Sequence, residues 1–146
     1  MRNKTDYVII HCAATRPSMD IGFREIDKWH RAKSWLSCGY HFIIRRNGTI
    51  ETGRKLMDPG AHAKGYNHRS IGICMVGGVT EDDISIPENN FTDVQWTSLE
   101  TLYNQLNLMP EIDGASWIGH NEVSPKDCPS FNVQEWVQSI EREKWA

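Results

Sequence analysis

Three side chains in this sequence are of the types that a zinc-like cation prefers, and their places along the chain allow them to meet. The apolar run Trp117-Ile118-Gly119 ends in His120, a polar, proline-containing stretch from Asn121 to Asp127 follows, and Cys128 returns after it. A loop of that length can bring an imidazole and a thiolate to one ion. Near the N-terminus a second strand-like run, Val8-Ile9-Ile10, ends in His11. Two imidazoles and a thiolate, with a fourth position left to water, form the pattern of a catalytic zinc; structural zinc fills all four positions with protein atoms. Lys126 stands two residues before the cysteine, where its ammonium can meet negative charge gathering on a tetrahedral intermediate. Taken singly, a histidine at a strand end is more often a hydrogen-bonded structural residue, and a lone cysteine before proline a small buried hydrophobe. The combination points to a metal, because sheets of the α/β kind present ligand sites at strand ends.

The elements that must position these residues follow from local patterns. Asp6 to His11 reads as a buried strand rich in β-branched residues. His11 and Cys12 are neighbours, so an extended backbone points them to opposite faces, one toward a site and the other into packing. A helix is expected from about Gly22 to Lys33, with Phe23, Ile26 and His30 on one face. Tyr40 to Ile44 and Thr49 to Thr52 flank Asn47-Gly48, a strong hairpin signal. The stretch from Met57 to Ser70, rich in Gly, His and Asn, reads as a long surface loop. Ile71 to Val76 forms a further strand, and Thr80 to Asn90 an acidic, polar loop. Thr92-x-x-Gln95 opens a helix whose core face is Leu99, Leu102, Tyr103 and Leu106. Ser116 to Gly119 is the last strand, and Asn132-x-x-Glu135 opens a helix with Val133, Trp136, Val137 and Ile140 on one face. The order predicts an α/β fold: one domain over residues 1–146, with a mixed central β-sheet of about five strands covered by about three helices.

Composition bounds the class. With 146 residues, 39% hydrophobic and 24% charged, the chain is long enough for a core without staples. A net charge of -3 with no basic stripe argues against nucleic acid, and no run is long and apolar enough to span a bilayer. The polar start lacks the apolar region of a signal peptide, so the expected location is cytoplasmic. Cys12, Cys38, Cys74 and Cys128 form no Cys-x-x-Cys pair, so free thiols or metal ligands are expected there. Cys38 and Cys74 read as packing residues, as do Trp96 and Trp136. Glu122, near His120, has two readings: a partner that holds an imidazole, or a solvent-facing carboxylate.

Four segments together resemble the zinc-dependent N-acetylmuramoyl-L-alanine amidases: Val8 to Thr15, Gly39-Tyr40-His41-Phe42-Ile43-Ile44, Ala61-His62-Ala63-Lys64-Gly65-Tyr66-Asn67, and Gly119-His120 through Ser130. More narrowly they are similar to the single-domain amidase-type lysozymes (endolysins) of bacteriophages, whose fold the peptidoglycan recognition proteins share. The resemblance runs from about Tyr7 to Trp136. It implies one Zn2+ per chain held by His11, His120 and Cys128, with catalytic roles for Tyr40 and Lys126. The implied substrate is bacterial peptidoglycan, cut at the amide between N-acetylmuramic acid and L-alanine. A phage lysis enzyme would gather in the host cytoplasm and reach the wall after release by another protein. His62, Lys64, Tyr66 and Asn67 are candidates for binding the muramyl peptide, His62 first among them. A monomer is expected.

Other readings stand beside this one. A cysteine peptidase would use Cys128 as nucleophile and a histidine as base, but proline directly after the cysteine and the lack of a helix start count against it. A binding-only module would hold muramyl peptides without cutting them, and binding-only relatives typically lack the cysteine ligand. Some phage relatives also bind and restrain the phage RNA polymerase, which makes such a regulatory role a third reading. No His-Glu-x-x-His helix supplies a carboxylate, so the general base is open.

Overall fold

Runs of β-branched residues become the centre of the sheet, and the sheet fixes everything near the site. The computed structural model describes residues 1–145. Its elements are β1 (Tyr7–Cys12), α1 (Phe23–Ala32), β2 (Phe42–Ile44), β3 (Ile50–Thr52), β4 (Ser70–Met75), α2 (Asp93–Asn107), β5 (Ser116–Gly119), a single 3-10 turn at His120–Glu122, and α3 (Val133–Lys144). Five strands lie in the order β3-β2-β4-β1-β5. β1 is parallel to β4 and β5, β2 is parallel to β4, and only the β2–β3 hairpin is antiparallel. This is the mixed five-stranded sheet with three helices that the element order predicts, with boundaries shifted by a residue or two at β1, β2, β3 and β4.

Alternation along β1 sorts the two faces. Val8, Ile10 and Cys12 pack with Leu99, Leu102, Leu106, Val133 and Ile140, so α2 and α3 cover that side. On the other side Ile9 meets Ala63 and Ile118, while Ile43, Cys74 and Val76 meet Ile26 of α1. His11 shares the parity of Ile9 and therefore faces away from the main core. Fully burying such an aliphatic side chain contributes about 1.5–3 kcal/mol, so β1 and β4 are a stiff platform for what stands at their ends.

Caps tie the helices to that platform. Thr92 Oγ1 accepts the Gln95 N–H, and Gln95 Oε1 accepts the Thr92 N–H at 2.9 Å, closing the expected capping box. Gln95 is fully buried, and it does more. Its amide protons go to the carbonyls of Ile44 (3.1 Å) and Val76 (2.9 Å), and its oxygen also takes Arg46 Nη1 at 3.2 Å. One side chain thus clasps the ends of β2 and β4. The α1 N-terminus borrows a carboxylate from the hairpin, with the Phe23 N–H donating to Glu51 Oε1 at 2.8 Å. α3 has half of its predicted box: Asn132 accepts the Glu135 N–H at 3.1 Å.

The hairpin turn is made by Gly48, whose φ of +87° only glycine adopts without strain. Its N–H donates to the Arg45 carbonyl at 2.8 Å, while Asn47 Oδ1 receives the Thr49 N–H at 3.0 Å. The long segment before β4 carries no strand or helix, yet buried side chains pin it. The Arg2 guanidinium, 3% exposed, donates to the carbonyls of Leu56 (2.6 Å) and Asp58 (3.1 Å). His41 Nε2 donates to the same Asp58 carbonyl at 2.7 Å, and His41 Nδ1 accepts the Gly72 N–H at 3.0 Å. Burial pushes the His41 pKa down to about 4, in keeping with a neutral ring locked in one tautomer.

Candidate active site

Parallel register brings the first two candidate ligands together. Gly119 of β5 stands opposite Ile10 of β1, so the residue after each, His120 and His11, leaves the sheet side by side. Their ring centroids lie 4.4 Å apart. Beyond β5 the chain turns at once. Glu122 reaches back to accept the Gly119 N–H at 2.6 Å, and its oxygens also receive Gln134 Nε2. Glu122 therefore closes the turn and ties it to α3; it does not hold an imidazole.

The loop after that turn returns Cys128 to the end of β1, where its Sγ accepts the backbone N–H of Cys12 at 3.1 Å. One ligand atom each from His11, His120 and Cys128 then lies within 4.8 Å of the others. Two imidazole nitrogens and a sulfur at such separations suit a borderline-soft ion, and they come from three separate segments of chain. The electrostatics agree. Burial, with the neighbouring His62, His120 and Lys126, holds the His11 pKa well below its usual value; burial and Lys126 lower that of His120. Both rings are neutral near pH 7, as a ligand must be. Cys12 and Cys128 form a coupled thiol pair in which one ionises at the other's expense. The hydrogen bond between the two thiols lowers Cys12 to about 7 and raises Cys128, while the Cys12 N–H donation works the other way and would favour a Cys128 thiolate once a cation is held there.

Tyr40 sits beside this group, its ring 5.1 Å from that of His11, and packs against Cys38, Ile43 and Cys74. Burial, and the thiols of Cys74, Cys128, Cys12 and Cys38, push the phenol well above its usual pKa. It keeps its proton. Lys126 is exposed on the loop before Cys128, close enough that its charge is felt at both histidines. Cys38 and Cys74 are resting thiols: burial raises the first to about 11 and holds the second well above the usual thiol value. His30 accepts the Gly39 N–H on Nδ1 at 2.8 Å and lies between the tilted rings of Trp35 and Tyr40.

The loop with the remaining candidates divides. His62 reaches the site, with Nδ1 2.9 Å from His11 Nε2. Asn67 holds the loop closed, its Oδ1 accepting the N–H groups of His62 (2.8 Å) and Ala63 (3.0 Å). Tyr66 packs edge-on to Tyr7, and Arg69 lies over both rings. Lys64 is exposed at the tip. Two contacts escape sequence reasoning. The Cys12 amide serves Cys128 across 116 residues of chain, and His62 meets His11 across 51; no local spacing marks either.

Comparison with known proteins follows the same lines. The family profile described as N-acetylmuramoyl-L-alanine amidase matches residues 1–131. The endolysin of Escherichia phage T7 is 49% identical over 140 residues, covering 96% of this chain and 90% of its own. The endolysin of Enterobacteria phage T3 is 46% identical over 140 residues with the same coverage. Among solved structures, the N-acetylmuramoyl-L-alanine amidase LysC from Clostridium intestinale superposes with a TM-score of 0.75 at 28% identity, covering 96% of this chain and 85% of that one.

Proposed function

Because the chain belongs to the N-acetylmuramoyl-L-alanine amidase family, we propose that His11, His120 and Cys128 hold one zinc ion, beside which the amide between N-acetylmuramic acid and L-alanine is hydrolysed in phage lysis of the host. The observation that carries this is the convergence of the three ligand atoms within 4.8 Å of one another. The donor set fits: two neutral imidazoles and one thiolate leave a place open to solvent. When bound, zinc supplies a Lewis acid and brings the pKa of its water toward neutrality.

The protein's own groups do the rest. The Tyr40 phenol, protonated and fixed by packing, offers a hydrogen bond beside His11 that orients the attacking water or the scissile carbonyl. Lys126 brings an ammonium to the oxygen that gathers negative charge, where losing such a donor typically costs about 100-fold or more in rate. The Cys12 amide steadies the Cys128 thiolate. The 61–67 loop borders the reacting centre through His62, and Lys64, Tyr66 and Asn67 extend that border toward the muramyl peptide. Among the described residues no helix is long and apolar enough to cross a membrane. Wall access through a lesion made by another protein is part of the same proposal.

Metal analysis of the purified protein, coupled to mass identification of products from isolated sacculi, tests the reading. Stoichiometric zinc with new L-alanine amino termini is the expected result. New reducing sugar ends, or stem peptides cut internally with muramyl–alanine bonds intact, would overturn it.

A further inference from the structure

The hydrogen bonds behind His11 can be ordered from one atom whose role is fixed. The Tyr66 carbonyl accepts only, so Ser70 Oγ, 2.7 Å away, donates its single proton there. That leaves the Ser70 oxygen as acceptor for His62 Nε2, at 3.3 Å. With its proton on Nε2, a neutral His62 ring has a bare Nδ1, which faces His11 Nε2 at 2.9 Å. The proton in that contact then belongs to His11 Nε2, and the free lone pair of His11 is on Nδ1.

We propose that His62 is a positioning residue that fixes the tautomer and ring angle of His11, so that His11 meets the zinc through Nδ1. This rests on the three-ligand zinc reading above and assigns His62 a role within it. Metal-bound histidines commonly donate their other N–H to such a partner, and losing the partner costs about 10- to 100-fold in metal affinity. His62 is not a fourth ligand, because among the described residues the converging group comprises only His11, His120 and Cys128.

Its ring is held for the task. A Cβ on Gly72 would lie 2.6 Å from His62 Cγ and 2.8 Å from Nδ1, and one on Gly60 would lie 2.5 Å from Cδ2. The ring therefore lies against bare backbone on two sides. The Asn67 bonds to the His62 and Ala63 amides hold the loop behind it. Ser70 is fully buried, so water does not compete for the end of the chain of protons.

The test pairs two substitutions with a measurement on the unaltered protein. His62→Phe keeps a ring but has no acceptor; His62→Asn puts an amide oxygen near the place of Nδ1. Zinc affinity by chelator competition is expected to fall about 10- to 100-fold in the first and distinctly less in the second. Nitrogen-15 spectra of labelled histidines, with and without zinc, are expected to show His11 protonated on Nε2 and metal-shifted on Nδ1, with no substitution required. A zinc-induced shift on His11 Nε2 would overturn the proposal. So would wild-type zinc affinity in His62→Phe with only KM raised, the mark of a substrate contact. Cys128→Ser runs in parallel. If it binds zinc like wild type, the three-ligand reading itself has failed; if it loses zinc while His62→Phe does not, only the positioning role has.

Discussion

Cys128→Ser removes the single anionic ligand of the candidate zinc site. The two ligands left are neutral imidazoles, and the charge of Lys126 acts on both of them. A divalent ion there would face a neighbouring cation with no opposing charge among its ligands. Four-ligand structural zinc sites bind with about 10–16 kcal/mol, so one protein ligand carries roughly 3–4 kcal/mol, about 100- to 1000-fold in affinity. The fold tolerates the change. Cys128 is half-buried and only borders the main core, and a serine oxygen still accepts the Cys12 N–H. The metal-free variant is expected to unfold within about 1 kcal/mol of wild type. Zinc competition against a chromophoric chelator reads the affinity, urea unfolding reads the fold, and turbidity loss of sacculi reads the activity. Wild-type zinc content and wild-type lysis in this variant would refute the assignment of the sulfur as a ligand.

Lys126→Ala is expected to keep zinc and its stability while turnover falls about 100-fold or more; a near-wild-type kcat would return Lys126 to the status of a solvated loop charge. Gln95→Leu strands the Thr92 amide and takes one hydrogen bond each from the Ile44 and Val76 carbonyls and from Arg46, which keep the Val76 N–H to Ile44 and Arg46 Nη1 to Val76 bonds. At about 1–3 kcal/mol for the buried amide left unpaired and about 1 kcal/mol for each of the three bonds lost, with water rescuing part of it, the net loss should be about 3–5 kcal/mol, read by urea unfolding. His41 adds a pH dependence. Its pKa is about 4 when folded and near 6.5 when unfolded, so the unfolded chain takes the proton first. The stability it contributes is complete above pH 6.5, drains as pH falls toward 4, and amounts to about 3 kcal/mol in all. Unfolding measured across that window should show a shallower acid slope in His41→Gln than in wild type, and an equal slope would refute the buried neutral ring.

The residues that name the chemistry were legible because their neighbours are unambiguous. Val8-Ile9-Ile10 and Trp117-Ile118 can only be strands, and each ends in a histidine. That these two strands lie side by side was not legible. β1 takes its partners from far along the chain, and in the order β3-β2-β4-β1-β5 only the β2–β3 hairpin joins strands that are neighbours in sequence. The hairpin and the α2 cap could be read because Asn47-Gly48 and Thr92-x-x-Gln95 act within four residues. The clasp that Gln95 makes on β2 and β4 is tertiary and left no local mark. Of the two readings of Glu122, the exposed carboxylate stands and the ring partner does not, because its oxygen closes the turn on the Gly119 amide. His62 stood first among the candidates for the muramyl peptide, but nothing in the sequence paired it with His11. Its part depends on Gly60 and Gly72, whose missing side chains admit the ring.

The pairing of β1 with β5 also sets when this protein becomes competent during its own synthesis. A ribosome-bound chain that has not yet emerged past residue 119 holds one of the three ligands and lacks the strand beside it. Translation must run through Cys128 before the three candidate ligand atoms can converge, and α3, which packs on the same core through Val133 and Ile140, comes later still. Fragments that stop short of Cys128 are therefore expected to lack the candidate metal seat.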